Sequence, residues 1–111
     1  MKYLFVISAL VISCSKEPQL TSELVGKPIS FQYDVYPIIE QACLSCHNQG
    51  AYAIELHDYE HIDSMAATGQ LLGSITGDTS FTQMPPNGIN PLTPTQIEII
   101  SRWIEDGHED N

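Results

Sequence analysis

The five residues Cys43-Leu44-Ser45-Cys46-His47 determine how the rest of this sequence is interpreted. One helical turn separates the two cysteines, so both sulfur atoms can form thioethers with the two vinyl groups on one edge of a porphyrin. His47 then falls under the ring centre, where a neutral imidazole can bind iron. The C-x-x-C-H spacing therefore predicts one covalent haem c, attached through Cys43 and Cys46, with His47 as the proximal iron ligand.

Three other uses of the cysteine pair compete with haem attachment. A thioredoxin-like dithiol needs a βαβ context, and the hydrophobic pattern shows none. A zinc site needs further ligands; there is no second Cys pair, although His57 and His61 lie downstream at helical spacing. A structural disulfide is compatible with an exported chain.

The segment Gln83-Met84-Pro85-Pro86-Asn87-Gly88 predicts the second axial ligand of the iron. A methionine thioether is a soft, neutral ligand that suits low-spin iron, and two prolines stiffen the loop that carries it. Met84 lies 37 residues after His47 and is the predicted distal ligand. Met65 lies only 18 residues after His47, inside a predicted helix, and is expected to fill the core.

Three histidines offer an alternative, bis-His ligation. His61 is the main rival of Met84, because a helix could turn its ring towards the haem. His57 and His108 are expected to be solvated, as isolated histidines usually are. His108 follows the end of the last predicted helix and is expected to fray with the tail.

Residues 31–107 show no alternating strand pattern and predict an all-α domain of about four short helices. The last helix has the clearest start, with Thr93 as N-cap, Pro94 in its first turn and Gln96 completing a capping box. Ile97, Ile100 and Ile104 form an apolar stripe on it, with Trp103 alongside. The other helix signals are Pro37 in a first turn that leads to the Cys pair, Asp58 as N-cap of 59–67 with Gly69 as its stop, Gly77 ending 70–76, a Leu92–Ile97 staple, and Gly107 ending the last helix.

Residues 1–13 predict a signal peptide, because a basic start precedes an apolar run of about 10 residues. That run is shorter than the ~18 apolar residues of a membrane-spanning helix. Val11-Ile12-Ser13-Cys14 resembles the lipobox of bacterial lipoproteins, which implies a lipid on Cys14 and accounts for the odd cysteine. Residues 14–30 are mixed and polar and predict a flexible tether, followed by the folded domain at 31–111.

Composition limits the classes of function. A chain of 111 residues has room for one domain, not for a multi-domain enzyme. Four basic residues stand against 14 acidic ones, a net charge of −10, which argues against nucleic-acid binding. From Cys14 onward the formal charge is −11, which favours a protein partner with a basic docking patch.

Over residues 31–107 the chain resembles the small single-haem class I cytochromes c. The resemblance is carried by Asp34-Val35-Tyr36-Pro37-Ile38-Ile39 before the haem motif, by Met84-Pro85-Pro86, and by Leu92-Thr93-Pro94 leading into the helix that holds Trp103. The family implies a few helices wrapped around one haem, with the first and last helices packed across each other. The stretch 50–57 is short, so the loop over one haem face is compact.

These patterns predict a single-electron carrier rather than an enzyme, since His47 and Met84 fill both axial positions. The expected location is the periplasmic or cell-surface side of a bacterial membrane, with a lipid on Cys14. One alternative is a haem domain that binds or senses a small ligand after a labile Met84 leaves the iron. A less favoured alternative is a metal-binding lipoprotein without haem.

Overall fold

The computed structural model describes residues 26–111, so the predicted signal peptide, Cys14 and the first part of the predicted tether lie outside the described residues. Within residues 26–111 the fold is all-α, with no strand. A π-helical segment at Phe31–Val35 leads directly into the first α-helix. The α-helices are α1 (Tyr36–Ala42), α2 (Tyr59–Ala67), α3 (Gln70–Thr76) and α4 (Pro94–Glu105).

The helix boundaries follow the local signals in the sequence. The Asp58 side chain accepts a hydrogen bond from the backbone N–H of His61 at 3.0 Å and caps α2 as predicted. Thr93 and Gln96 form both halves of the predicted capping box at the start of α4. Gly77 closes α3 in the left-handed conformation at φ 79°, which glycine adopts without steric cost.

The core is centred on an aromatic cluster around Phe31. Its ring lies edge-on to Tyr59, with centroids 5.1 Å apart, and 5.4 Å from Trp103 of α4. The π-helical segment is thereby joined to α4, with Trp103 only 1% exposed. The buried apolar residues that form this core are Ile29, Phe31, Val35, Ile38, Ile39, Leu56, Ile62, Ala66, Leu71, Ile75, Leu92, Ile100 and Trp103.

The expectation that His108 frays is wrong. Its Nδ1 atom lies 2.5 Å from Oδ1 of Asp63, and its carbonyl accepts a hydrogen bond from the Tyr59 hydroxyl at 2.9 Å. One residue further on, the Glu109 carbonyl accepts from Trp103 Nε1 at 2.9 Å. The segment after α4 therefore folds back onto α2 and covers the edge of the aromatic cluster.

The packed part of the chain begins at Ile29, two residues before the predicted boundary. Ile29 is buried, and the Ser30 hydroxyl accepts a hydrogen bond from the backbone N–H of Tyr33 at the start of the π-helical segment. The Asn111 side chain bonds to the backbone on both sides of Ser30. Its Oδ1 accepts from the Phe31 N–H at 2.8 Å, and its Nδ2 donates to the Ile29 carbonyl at 3.2 Å. These bonds join segments about 80 residues apart in sequence.

Candidate functional site

A cavity of about 340 Å³ lies between the turn after α1, helices α2 and α3, and the segment after α3. Its volume falls in the range of about 300–1,000 Å³ that is typical of cofactor and ligand pockets. Three of the residues predicted for the site, Cys43, His47 and Met84, line it. The remaining lining residues are Ile54, Leu56, Met65, Gln70, Leu71, Ser74, Ile75, Ser80, Phe81 and Thr82.

The cysteine motif continues the helical path of α1 for one more turn. The backbone N–H of Cys43 donates to the Ile39 carbonyl, and that of His47 donates to the Cys43 carbonyl, both at 2.9 Å. Both thiols are free, and they differ in depth. Cys43 is half-buried against the cavity, and this burial raises the pKa of its thiol to about 11. Cys46 is exposed and is not among the residues that line the cavity.

The ring of His47 is oriented by the segment that follows it. Its Nδ1 atom lies 2.5 Å from the carbonyl oxygen of Ile54. A carbonyl can only accept, so Nδ1 carries the proton, and in the neutral ring Nε2 keeps its lone pair. The Leu56 N–H donates to the His47 carbonyl at 2.8 Å and holds the same segment in place. Metal-ligating histidines typically have such a second partner, which fixes both tautomer and orientation.

The compact stretch 50–57 contributes directly to the site. Ile54 and Leu56 both line the cavity, although Leu56 is 8% exposed and Ile54 is 48% exposed. Leu56 belongs to the core, whereas Ile54 forms an outer wall. The short loop therefore covers part of the cavity and also holds His47.

Two methionines border the cavity, not one. The Met84 N–H donates to the Ser74 carbonyl at 2.9 Å, which fastens the Met-Pro-Pro loop to α3. Met65, for which the sequence predicts only a place in the core, is partly buried against the core and also lines the cavity. Sequence separation from His47 does not reveal this position, because it depends on how α2 is rotated over α3.

His57 and His61, the alternative ligands, are not among the residues that line this cavity. They lie on either side of Asp58, with His61 Nδ1 at 2.6 Å from Asp58 Oδ1. A hydrogen bond from the His61 backbone lowers the pKa of Asp58, and the side-chain hydrogen bond to Asp58 raises the pKa of His61. The His61 ring is thus hydrogen-bonded to Asp58, outside the cavity.

The described part of the chain offers little support for a thioredoxin-like dithiol, a disulfide or a zinc site at the cysteine pair. Residues 26–111 contain no strand and so no βαβ unit for a thioredoxin-like dithiol, and Cys43 and Cys46 are not bonded to each other. Among residues 26–111, the potential metal ligands that lie close together are Glu55, His57 and His61, and this group includes neither the cysteines nor His47.

Comparison of the chain with protein-family models, curated proteins and solved structures finds no match. A functional assignment therefore depends on the residues of the cavity. Of the helices in residues 26–111, the longest has 12 residues, and none combines the length and apolar character needed to cross a bilayer.

Proposed function

We propose that this protein is a single-electron carrier that holds one covalent haem c in the cavity beside α3. One observation carries the proposal: Cys43 and His47, from the turn after α1, and Met84, from the segment after α3, line the same cavity. Together with the exposed Cys46 of the same motif, they make a donor set of two thiols, an imidazole and a thioether, which is that of a class I cytochrome c. The all-α fold is compatible with this class.

The residues present fit a haem. Cys43 and Cys46 would hold it through thioethers, and His47 would bind the iron through Nε2, the ring nitrogen that its bond to Ile54 leaves free. Met84 would supply the second axial ligand from the loop fastened to Ser74. When bound, the haem supplies a one-electron iron couple.

The protein residues explain why carriage of electrons is favoured over catalysis. If both His47 and Met84 bind the iron, no coordination site would remain for a substrate. The buried side chains of Leu71 and Ile75 make the inner side of the cavity apolar. The outer side is thin, since Ile54 lines the cavity while 48% exposed, so a redox partner can approach closely there.

The proposal extends to location and partner. A lipid on Cys14 would tether the domain to the outer side of a bacterial membrane, and the formal charge of −11 from Cys14 onward would steer it towards a basic docking patch. A Cys14→Ser protein should become soluble with an unchanged haem spectrum and lose transfer only to a membrane-bound partner. Association with the partner should slow as salt shortens the Debye length.

The deciding experiment is the absorption spectrum of the denatured, solvent-extracted protein. A haem that remains with the polypeptide supports thioether attachment, and its complete extraction would refute it. Cys43→Ala and Cys46→Ala should each leave at most one thioether and a less stable protein, because a bound haem contributes to a small core. Cys14→Ser is the matched control, since it removes a cysteine outside the motif.

Carbon monoxide separates an electron carrier from a small-ligand sensor. Reduced wild-type protein with two firm axial ligands should not bind the gas. Binding by the wild type at a concentration that saturates a Met84→Ala variant would favour a sensor with a labile methionine. Absence of haem from every preparation would leave the metal-binding lipoprotein as the better description.

A further inference from the structure

A cluster of ionisable side chains lies outside the proposed haem cavity, at the junction of the 50–57 stretch and α2. It consists of Glu55, His57, Asp58 and His61, and we call it the His-acid cluster. One ligand atom each from Glu55, His57 and His61 lies within 4.8 Å of the others. We infer that these three side chains form a binding site for a zinc-type divalent cation.

The atoms that face one another are the ones a cation needs. Oε2 of Glu55 lies 3.3 Å from Nδ1 of His57 and 3.7 Å from Nε2 of His61. In a tetrahedral zinc site with bonds of about 2.0–2.1 Å, ligand atoms are about 3.3 Å apart. The Glu55–His57 pair already has this spacing, and the Glu55–His61 pair has to close by about 0.4 Å. All three ligand atoms lie within 4.8 Å of one another. Two histidines and a glutamate also match the ligand types that zinc accepts in sites that keep water as the fourth ligand.

The nitrogen of His57 that faces Glu55 lacks a hydrogen bond. His57 Nδ1 is shielded from solvent and has no hydrogen-bond partner, although Glu55 Oε2 lies 3.3 Å away. An unsatisfied buried ring nitrogen is costly, and a cation between the two atoms would satisfy it. This atom points to a ligand independently of the clustering of charges.

The opposite sides of the ligands are already held. The other ring nitrogen of each histidine faces Asp58: His57 Nε2 lies 3.1 Å from Asp58 Oδ2, and His61 Nδ1 lies 2.6 Å from Asp58 Oδ1. The other oxygen of Glu55, Oε1, accepts a hydrogen bond from the Gly50 N–H at 2.9 Å. A carboxylate behind each ligating imidazole and a fixed glutamate are typical of metal sites with a preformed outer shell. Asp58 would also offset the positive charge of the cation.

The test is calorimetric titration of the purified full chain with Zn²⁺ alone. Wild-type protein should bind one equivalent that is lost or weakened at least a hundredfold in Glu55→Gln and in His61→Gln. Asp58→Asn keeps a good helix N-cap and should weaken binding about 10- to 100-fold. Glu60→Gln, which removes an exposed acid that lies on the same helix, supplies no ligand and acts on His61 only through its charge, is the control and should change binding far less than Glu55→Gln.

Two further measurements separate this site from the cysteine motif. Cys46→Ser should bind zinc as the wild type does, and the zinc absorption edge should show only nitrogen and oxygen neighbours at about 2.0–2.1 Å, with no sulfur at about 2.3 Å. Failure of haem attachment would therefore leave the zinc result intact. Equal zinc binding by wild type and His61→Gln, or no binding by the wild type, would overturn the inference.

Discussion

Replacement of Gly73 by alanine should distort the wall of the cavity. A Cβ atom at this buried position in α3 would lie 2.5 Å from Cε2 of Phe81 and closer still to Cδ2. Ordinary contact begins at 3.4 Å, so the Phe81 ring would have to retreat by about 1 Å. Phe81 lines the cavity three residues before Met84, and its displacement would reach the loop that carries the predicted distal ligand.

Two opposing effects set the size of the change in stability. Alanine is a better helix former than glycine by about 1 kcal/mol, which favours the variant. Overpacking of a filled site costs about 1–3 kcal/mol, and this cost outweighs the gain in helix propensity because an aromatic ring on a short loop has to move. We expect Gly73→Ala to lower the free energy of unfolding by roughly 1 kcal/mol.

Denaturant unfolding followed by far-ultraviolet circular dichroism measures this difference. Thr76→Ala is the control on the same helix, because Thr76 is exposed and the change introduces no clash; it also removes the hydrogen bond from the Thr76 hydroxyl to the Leu72 carbonyl. In a Phe81→Leu background the Gly73→Ala change should cost less, giving a coupling energy of about 1 kcal/mol. A Gly73→Ala protein that is more stable than the wild type by the full helix-propensity gain would refute the predicted steric conflict.

Three other predictions follow from the described contacts. Met84→Ala should open the iron of the haem-loaded protein, lower its reduction potential and allow carbon monoxide binding, whereas Met65→Ala should cost only packing stability. An absorption spectrum that changes in Met65→Ala and not in Met84→Ala would reverse the ligand assignment. Thr93→Ala removes half of a capping box and should cost about 0.5–2 kcal/mol in thermal or denaturant unfolding, and an unchanged midpoint would contradict the role of the cap. In haem-free protein at pH 8, Cys43 should be alkylated far more slowly than the exposed Cys46, because a thiol with a pKa of about 11 forms little thiolate at that pH. Equal alkylation rates of the two cysteines, measured by peptide mass analysis, would argue against the burial of Cys43.

Local chemistry explains which parts of the fold can be predicted from the sequence. The N-caps at Asp58 and Thr93 and the stop at Gly77 depend on hydrogen bonds or dihedral angles within a few residues, so their signals survive in any tertiary context. The turn at Cys43 has the same local character. Helix content and the C-x-x-C-H motif, with the haem attachment that it predicts, can therefore be recognised without a structure.

The site can be predicted only in part, because sequence signals are local and part of the site is formed by packing between separate segments. Nothing in the residue order indicates that Met65 borders the cavity beside Met84, because that depends on the rotation of one helix over another. Nor does the order reveal that the Ile54 carbonyl holds His47, since the intervening loop has no regular period. Both facts bear on ligation, and both are set by packing.

Contacts between distant segments are decided by the tertiary structure alone. The sequence predicts that His108 frays, yet Asp63 and Tyr59 hold it, and Asn111 bonds to a backbone about 80 residues away. Loop closure over such distances is favourable only when the whole core assembles, so no window of sequence contains the signal. The His-acid cluster has a mixed origin: Asp58 and His61 meet through helix periodicity, whereas Glu55 reaches them only because the compact loop folds back onto α2.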